Sequence, residues 1–554
     1  MQRRNFLKIL PAAGVTPFAV NGFAMRPFAN TRMANLLANC DAVADRVLIL
    51  IQLKGGNDGL NTLVPLDQYP AYAKLRPTIK IPDAGTDKYL NLDSTLPLAD
   101  QVGLHPVLTS LKAMYDKGWV NVVQGVGYEN LNQSHFKGAD IWLSGGDGTK
   151  ENFNIKTGWM GRALNAMYPE VKGFPTEKMK YPLGIQVGDP NPSLGFHTDT
   201  EHRNNINLSG QDPDGFYTLV QTIGGAPLTN VPDSEYGVEL AYIMGVEKAV
   251  DLYSEYISAA FKAGSNAVST YPQHQLAWQL KTIARMIKGG CKTKIYLCSM
   301  GGFDTHGSQI APEGKITLGN HAELLATLAD SVKAFMDDLD KMGLGEKVMA
   351  CTFSEFGRCA KENGSSGTDH GTLAPMFVFG KTADAGVSGT NVNLTNLSGD
   401  NQLQGQQHDY RSVFTTLLQD WLGASNYALE QTNFDTFGKL ALVGAPHIVS
   451  PDCYVGTTSI WDDAAGPTAP NMTLSPNPAS TRSEVAFQSP RAFRARLSAY
   501  SMAGSLLHTQ IVQVQPGTNY FYLEVRRWPA GTYVVRLEDV ASGKAEVGRL
   551  SVTG

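Results

Sequence analysis

An aspartate and a histidine stand side by side between glycines in Gly367-Thr368-Asp369-His370-Gly371. A carboxylate and an imidazole from neighbouring backbone positions suit a divalent ion: Zn²⁺ or Mn²⁺ first, with Mg²⁺ and Ca²⁺ also served by oxygen ligands. The glycines let the backbone take unusual angles and let a ligand come close. Alone, such a pair is equally a polar turn. What changes the weighing is recurrence. Asp58 stands in Gly55-Gly56-Asn57-Asp58-Gly59-Leu60-Asn61, and Asp304 and His306 in Gly302-Phe303-Asp304-Thr305-His306. Glu355 and Arg358 lie in Ser354-Glu355-Phe356-Gly357-Arg358, and His408 in Gln407-His408-Asp409. Ser134 and His135 open a segment able to start a helix. There, exposed amides favour a developing negative charge. The same place equally suits Ser134 as a plain helix cap.

Most of these groups follow apolar runs that read as buried strands. The runs are 46–53, 119–127, 181–188, 293–298, 348–353 and 376–379. Continuous apolar runs suit a parallel sheet covered on both faces, and ligands of such sheets bind beyond the carboxyl ends of the strands. Apolar spacing predicts helices at roughly 234–262, 271–288, 321–342 and 412–422. The repeated alternation predicts an α/β sandwich with a largely parallel central sheet.

Composition narrows the class. A chain of 554 residues, 42% hydrophobic and 18% charged, is globular and long enough for two or more domains. A net charge of -5 gives no electrostatic case for nucleic acid. The six cysteines form no CxxC pattern, so a structural zinc site is not expected. Pairing of Cys351 with Cys359, or of Cys291 with Cys298, stays open.

The motif set resembles the domain-of-unknown-function family 1501 over about residues 45–425, including Leu104-His105-Pro106 and Thr368-Asp369-His370-Gly371. The order Asp58, Ser134, Asp304…His306, Asp369-His370 is similar to the alkaline phosphatase and sulfatase superfamily. That resemblance implies an alkaline-phosphatase-like fold over 45–443 and metal held by Asp58, Asp304, His306, Glu355, Asp369 and His370, with His408 as a further candidate. It also implies Ser134 as nucleophile; His135, which has no simple counterpart in that superfamily, is expected as general acid from its place beside Ser134, and Arg358 or Lys54 as a further positive charge. One residue separates Asp304 from His306, where the phosphatases have three. A metal-dependent hydrolase of phosphate or sulfate esters is therefore expected, with a catalytically inactive surface-assembly or binding protein as the alternative.

The two ends carry addresses. Arg3-Arg4-Asn5-Phe6-Leu7-Lys8 and the short apolar run after it resemble a twin-arginine export signal over 1–34. No segment is expected to span a membrane. Residues 444–470 turn Pro/Gly/Asp/Thr-rich and read as a linker. Beyond it, alternating strands at 494–500, 520–525, 533–537 and 549–552 predict a small all-β sandwich over 471–554. Its Pro476-Asn477-Pro478 start and Pro529-Ala530-Gly531-Thr532-Tyr533 resemble a type IX secretion sorting domain. That implies the type IX machinery as partner, a surface protein as a further candidate partner, and an extracellular or outer-surface location.

Overall fold

Strand β1, Val47–Leu53, is the hub, and every one of its residues is buried. The coordinates, a computed structural model, describe residues 18–20, 23–25, 45–150, 155–177, 179–198, 204–223, 235–268, 270–444, 472–489, 491–501, 506–526, 528–539 and 545–553. The expected export signal lies outside these residues apart from the short strands Phe18–Val20 and Phe23–Met25. The expected linker lies outside them apart from Gly444. The chain divides into two units, Met1–Gly456 and Thr457–Gly554.

In the larger unit β1 is followed by β2 (Val120–Gly127), β3 (Gly184–Val187), β4 (Asn205–Leu208), β5 (Ile295–Met300) and β6 (Val348–Phe353). A hairpin of β7 (Arg358–Glu362) and β8 (Thr368–His370) follows, then β9 (Ala374–Phe379), β10 (Gly386–Ser388) and β11 (His408–Asp409). The central sheet runs β10-β2-β9-β6-β1-β5-β3-β4, with β11 also on β2. Its pairings are parallel except those of β9, which runs antiparallel to both β6 and β2.

Alternation along β1 shows why the strand reads as one apolar run. Val47, Ile49, Ile51 and Leu53 join one core, packed with residues of helices Gln275–Lys288 and Asn320–Lys341. Leu48 and Leu50 join the other, with residues of helices Trp159–Met167 and Tyr410–Thr416. A strand buried on both faces is largely apolar, and the one polar side chain of β1, Gln52, lies near its carboxyl end. The carboxyl ends of β6, β1 and β5 therefore sit side by side in mid-sheet, and their loops supply most of the site.

The smaller unit is all-β. Strands Met472–Ser475, Arg482–Ser489 and Gly517–Glu524 form one sheet. Phe493–Ser501, Leu506–Val514, Gly531–Asp539 and Ala545–Val552 form another. Both face one core that includes Val485, Leu497, Leu523 and Val535. Among the described residues no helix is long and apolar enough to cross a membrane. Cys291, Cys298, Cys351 and Cys359 are all unpaired, so neither suggested disulfide forms.

Candidate metal centre

Asp304 is the focus of the site. It follows β5 in a loop that passes close to the turn after β1: a Cβ on Gly55 (φ +122°) would lie 2.3 Å from the Asp304 backbone nitrogen. Only glycine fits there. Gly55 in turn donates its N–H to Glu355 Oε1 at 2.7 Å, tying the loop after β1 to the loop after β6.

Three imidazoles converge on the Asp304 carboxylate, each through Nε2. His306 Nε2 and His370 Nε2 lie 3.2 and 3.3 Å from Oδ1, and His135 Nε2 lies 3.3 Å from Oδ2. Each ring has its Nδ1 taken by an acceptor: Glu355 Oε1 at 2.8 Å for His135, Asp369 Oδ1 at 3.0 Å for His306, and the Gln133 carbonyl at 2.8 Å for His370. A carbonyl or carboxylate only accepts, so each neutral ring carries its proton on Nδ1 and turns the Nε2 lone pair towards Asp304. Three lone pairs facing a carboxylate repel unless a cation or proton lies among them. Nε2 of His135 is buried without a hydrogen-bond partner, whereas Nε2 of His370 is within hydrogen-bond reach of Asp304 Oδ1. Histidines that ligate metals are held in this way, with the far N–H on a carboxylate or carbonyl.

The ligand atoms of His135, Asp304 and His370 all lie within 4.8 Å of one another, which groups them as possible metal ligands. Two imidazoles and a carboxylate with an open position are a donor set suited to a catalytic Zn²⁺-type ion. Partial burial pushes the Asp304 carboxyl up, but the hydrogen bond and charge of Arg358, with His135 and His306, outweigh it and hold the group below its usual range. Burial draws His370 below the ordinary imidazole value, against its bond to Gln133, which favours the neutral ring a metal needs. The hydrogen bond from Asn363, 3.1 Å away, and His306 keep Asp369 low despite some burial.

The remaining expected residues fall into two groups. Glu355 and Asp369 orient His135 and His306. Arg358 is fully buried and bonds Asp304 at 2.5 Å while its other donors reach the carbonyls of Gly55, Gly56, Phe303 and Thr368. It balances charge and spaces the loops, and its donors are spent on the protein.

Three of the expected residues lie apart from the cluster. Asp58 is buried and paired with Arg76 Nη1 at 2.6 Å, outside the cluster. Burial alone would push its carboxyl up, but the Arg76 charge and hydrogen bond keep it low, so Asp58 is an internal ion-pair partner. Ser134 is exposed and is not among the residues lining the cavity beside the cluster. The helix begins at His135, with the Ser134 N–H on Asn132 Oδ1 at 2.9 Å, so the next side chain, His135, enters the site. His408 lies on β11 beside β2, two strands away from β6 across the sheet, with Nε2 buried and unpartnered.

The cavity measures about 580 Å³ and reaches from His135, Asp304 and Glu355 to Lys54 and Asp189. Lys54 and Asp189 form an ion pair at its wall. Gln52, 5% exposed, lines it, as does Phe136, whose ring is 87% exposed. Arg76, Gln133 and Asn363 escaped the sequence reading. Arg76 and Asn363 are common surface types, and Gln133 contributes only its carbonyl, which no side-chain pattern reveals.

Fold and site together define an α/β protein with a candidate metal centre at the carboxyl edge of a mostly parallel sheet. A family model described as "Protein of unknown function (DUF1501)" matches residues 45–395, more than half of the chain, and the protein belongs to that family. No curated protein matches it. Among solved structures, an alkaline phosphatase superfamily protein from Vibrio parahaemolyticus is 9% identical, covering 94% of this chain and 91% of that one, TM-score 0.32. A sulfatase, PsFucS1 from Pseudoalteromonas, is 10% identical, covering 89% and 86%, TM-score 0.31. PorZ, a surface component of the type-IX secretion system of Porphyromonas gingivalis, is 22% identical, TM-score 0.12, over 15% of this chain and only 11% of its own length.

Proposed function

We propose that the protein is a secreted or cell-surface metal-dependent hydrolase of phosphate or sulfate esters. The observation that carries the reading is the set of Nε2 atoms of His135, His306 and His370 around Asp304, each ring fixed by an acceptor at Nδ1. His135, Asp304 and His370 would hold a divalent ion, whose chemistry there is to polarise an ester oxygen and to acidify water to a pKa of about 7. Glu355 keeps the His135 proton on Nδ1, and Gln133 does the same for His370. His306 is the more exposed imidazole and has Asp369 behind its Nδ1, a pairing suited to passing a proton at Nε2. The cavity, with the Lys54–Asp189 ion pair at its wall, has room for the rest of the substrate. Attack comes from water, and the exposed Ser134 hydroxyl takes no part. The twin-arginine-like start and the all-β tail support export, with the type IX machinery as the partner of that tail.

The test is elemental analysis of the purified full chain alongside turnover of 4-nitrophenyl phosphate and 4-nitrophenyl sulfate. Bound Zn²⁺ or Mn²⁺ is expected, with turnover of one ester lost in Asp304→Asn and His370→Ala. A folded protein that takes up neither ion, or that turns over neither ester when loaded, overturns the proposal.

A further inference from the structure

Asp58 lies outside the ligand cluster yet has a defined route to it through one side chain. Gln309 is 1% exposed, and its amide makes three bonds in the interior. Nε2 donates to Asp58 Oδ2 at 2.5 Å. Oε1 accepts from Thr305 Oγ1 at 3.2 Å and from Thr368 Oγ1 at 3.0 Å. Thr305 lies between Asp304 and His306, and Thr368 immediately precedes Asp369 and His370. One amide thus grips the two chain segments that supply four of the cluster's side chains. The same segments also share a backbone bond, Thr368 N–H to Thr305 carbonyl at 3.1 Å.

The chemistry of the groups sets the direction of the grip. An ionised Asp58 only accepts, so the Gln309 NH₂ must face it and the amide oxygen must face the two hydroxyls. Asp58 is anchored by Arg76, whose Nε and Nη2 bind the carbonyls of Ala360 and Cys359 on β7 at 2.9 and 2.8 Å. The chain of contacts therefore runs from β7 through Arg76 and Asp58 to Gln309, and from there to the Asp304 loop and to β8. Both strands of the hairpin and the loop after β5 are referred to one buried point.

We infer that Asp58 and Gln309 form a positioning unit that sets the spacing between the Asp304–His306 loop and the Asp369-His370 strand. The inference rests on the metal-centre reading above and assigns the unit no contact with metal or substrate. Misplacing a ligand-bearing segment costs metal affinity, and losing supporting groups of this kind typically weakens it 10–100-fold.

The test uses Zn²⁺ and Mn²⁺ titrations of the metal-stripped full chain by calorimetry, with hydrogen exchange of 304–306 and 368–370 in the metal-free protein. Gln309→Met is expected to weaken binding 10–100-fold and to speed exchange in both segments. Gln309→Glu sets two carboxylates against each other and is expected to be worse. The pair Thr305→Val with Thr368→Val removes both hydroxyls from Gln309 Oε1 while leaving the Asp58–Gln309 and Asp58–Arg76 bonds in place, and is expected to weaken metal binding and speed exchange in the same two segments. A structural role alone would lower stability without moving metal affinity or exchange at these segments. Wild-type affinity in Gln309→Met, or wild-type affinity and exchange in a folded Thr305→Val, Thr368→Val protein, refutes the inference. Absence of any wild-type metal binding instead refutes the metal-centre reading, and the exchange data still report whether the segments are coupled.

Discussion

Replacing Arg76 with methionine isolates what the buried ion pair does. Arg76 and Asp58 have no exposed side-chain surface and lie 2.6 Å apart, so the variant leaves a carboxylate in the interior without its countercharge. It also removes the donors to the carbonyls of Ala360 and Cys359, and one of the two donors to Asn61 Oδ1, which keeps the Tyr72 hydroxyl. Breaking a buried pair from one side costs about 3–5 kcal/mol, a large part of the 5–15 kcal/mol typical of a folded domain. Urea unfolding of the larger unit, which holds the fully buried Trp142, Trp159 and Trp421, reads the loss through tryptophan fluorescence. The pH dependence has a definite sign. The folded Asp58 carboxyl lies below its ordinary 3.8, so its contribution is present above that value and is lost as pH falls through the lower folded one. Without Arg76, burial pushes the group up and the protonated form is favoured. The gap between wild type and Arg76→Met should therefore narrow from pH 7 to pH 4. Should methionine prevent folding, Arg76→Lys keeps the charge but loses the forked geometry, and a cost of about 1–3 kcal/mol is expected. A loss below about 1 kcal/mol in Arg76→Met at pH 7, or a gap that ignores pH, would refute the assignment of Asp58 as a charged internal partner.

Other perturbations follow from the same geometry. Ser134→Ala should leave metal content and ester turnover unchanged, since the side chain is exposed and outside the cavity lining; loss of turnover with metal retained would restore it as nucleophile. Gly55→Ala places a methyl 2.3 Å from the Asp304 nitrogen at φ +122°, so thermal melting should fall by at least the 1–3 kcal/mol of a strained residue, and titration should show weaker metal binding. Phe136→Ala should leave stability within about 0.5 kcal/mol in urea unfolding, because the ring is exposed, while raising KM for esters large enough to reach the cavity mouth. Ending the chain after Gly456 should leave the melting temperature of the larger unit unchanged by calorimetry, as expected for a unit with its own core.

The strand ends were legible because a strand buried on both faces is largely apolar, as β1, β5 and β6 are; β2 shows it less cleanly, with Asn121 and Gln124 among its apolar residues. What a group does at a strand end was less legible. Asp58 and Asp304 look alike in sequence, each an acid just past a buried run. Their roles diverge because Arg76 meets one in the interior and three imidazoles meet the other at the surface. No periodicity links Arg76 to Asp58. Ser134 and His135 differ by one position, and on a helix start that step decides which side chain enters the site. In the tail, Arg482–Ser489 turns Ser483, Val485, Phe487 and Ser489 inward, and the serines hide the alternation that marked the neighbouring strands. The reversed direction of β9 gave no signal either, since an apolar run reads the same whichever way it points.

That reversed strand has a consequence for how the family can vary. A parallel return from β6 would have required a crossover of a dozen or more residues along the length of the sheet. Here the chain leaves β6, makes the excursion 354–373 and re-enters next door on β9, with Cys351 opposite Val378. The excursion is thus an interchangeable cassette whose two ends are welded to adjacent buried strands. Its base carries Arg358, Asn363, Gly367 and His370, and its tip, 364–366, is exposed. Lengthening a flexible tip is cheap, about 0.6 kcal/mol for each doubling of the loop. Tips of different length and chemistry can therefore be set over one conserved-geometry base, which separates what reaches the centre from what holds it.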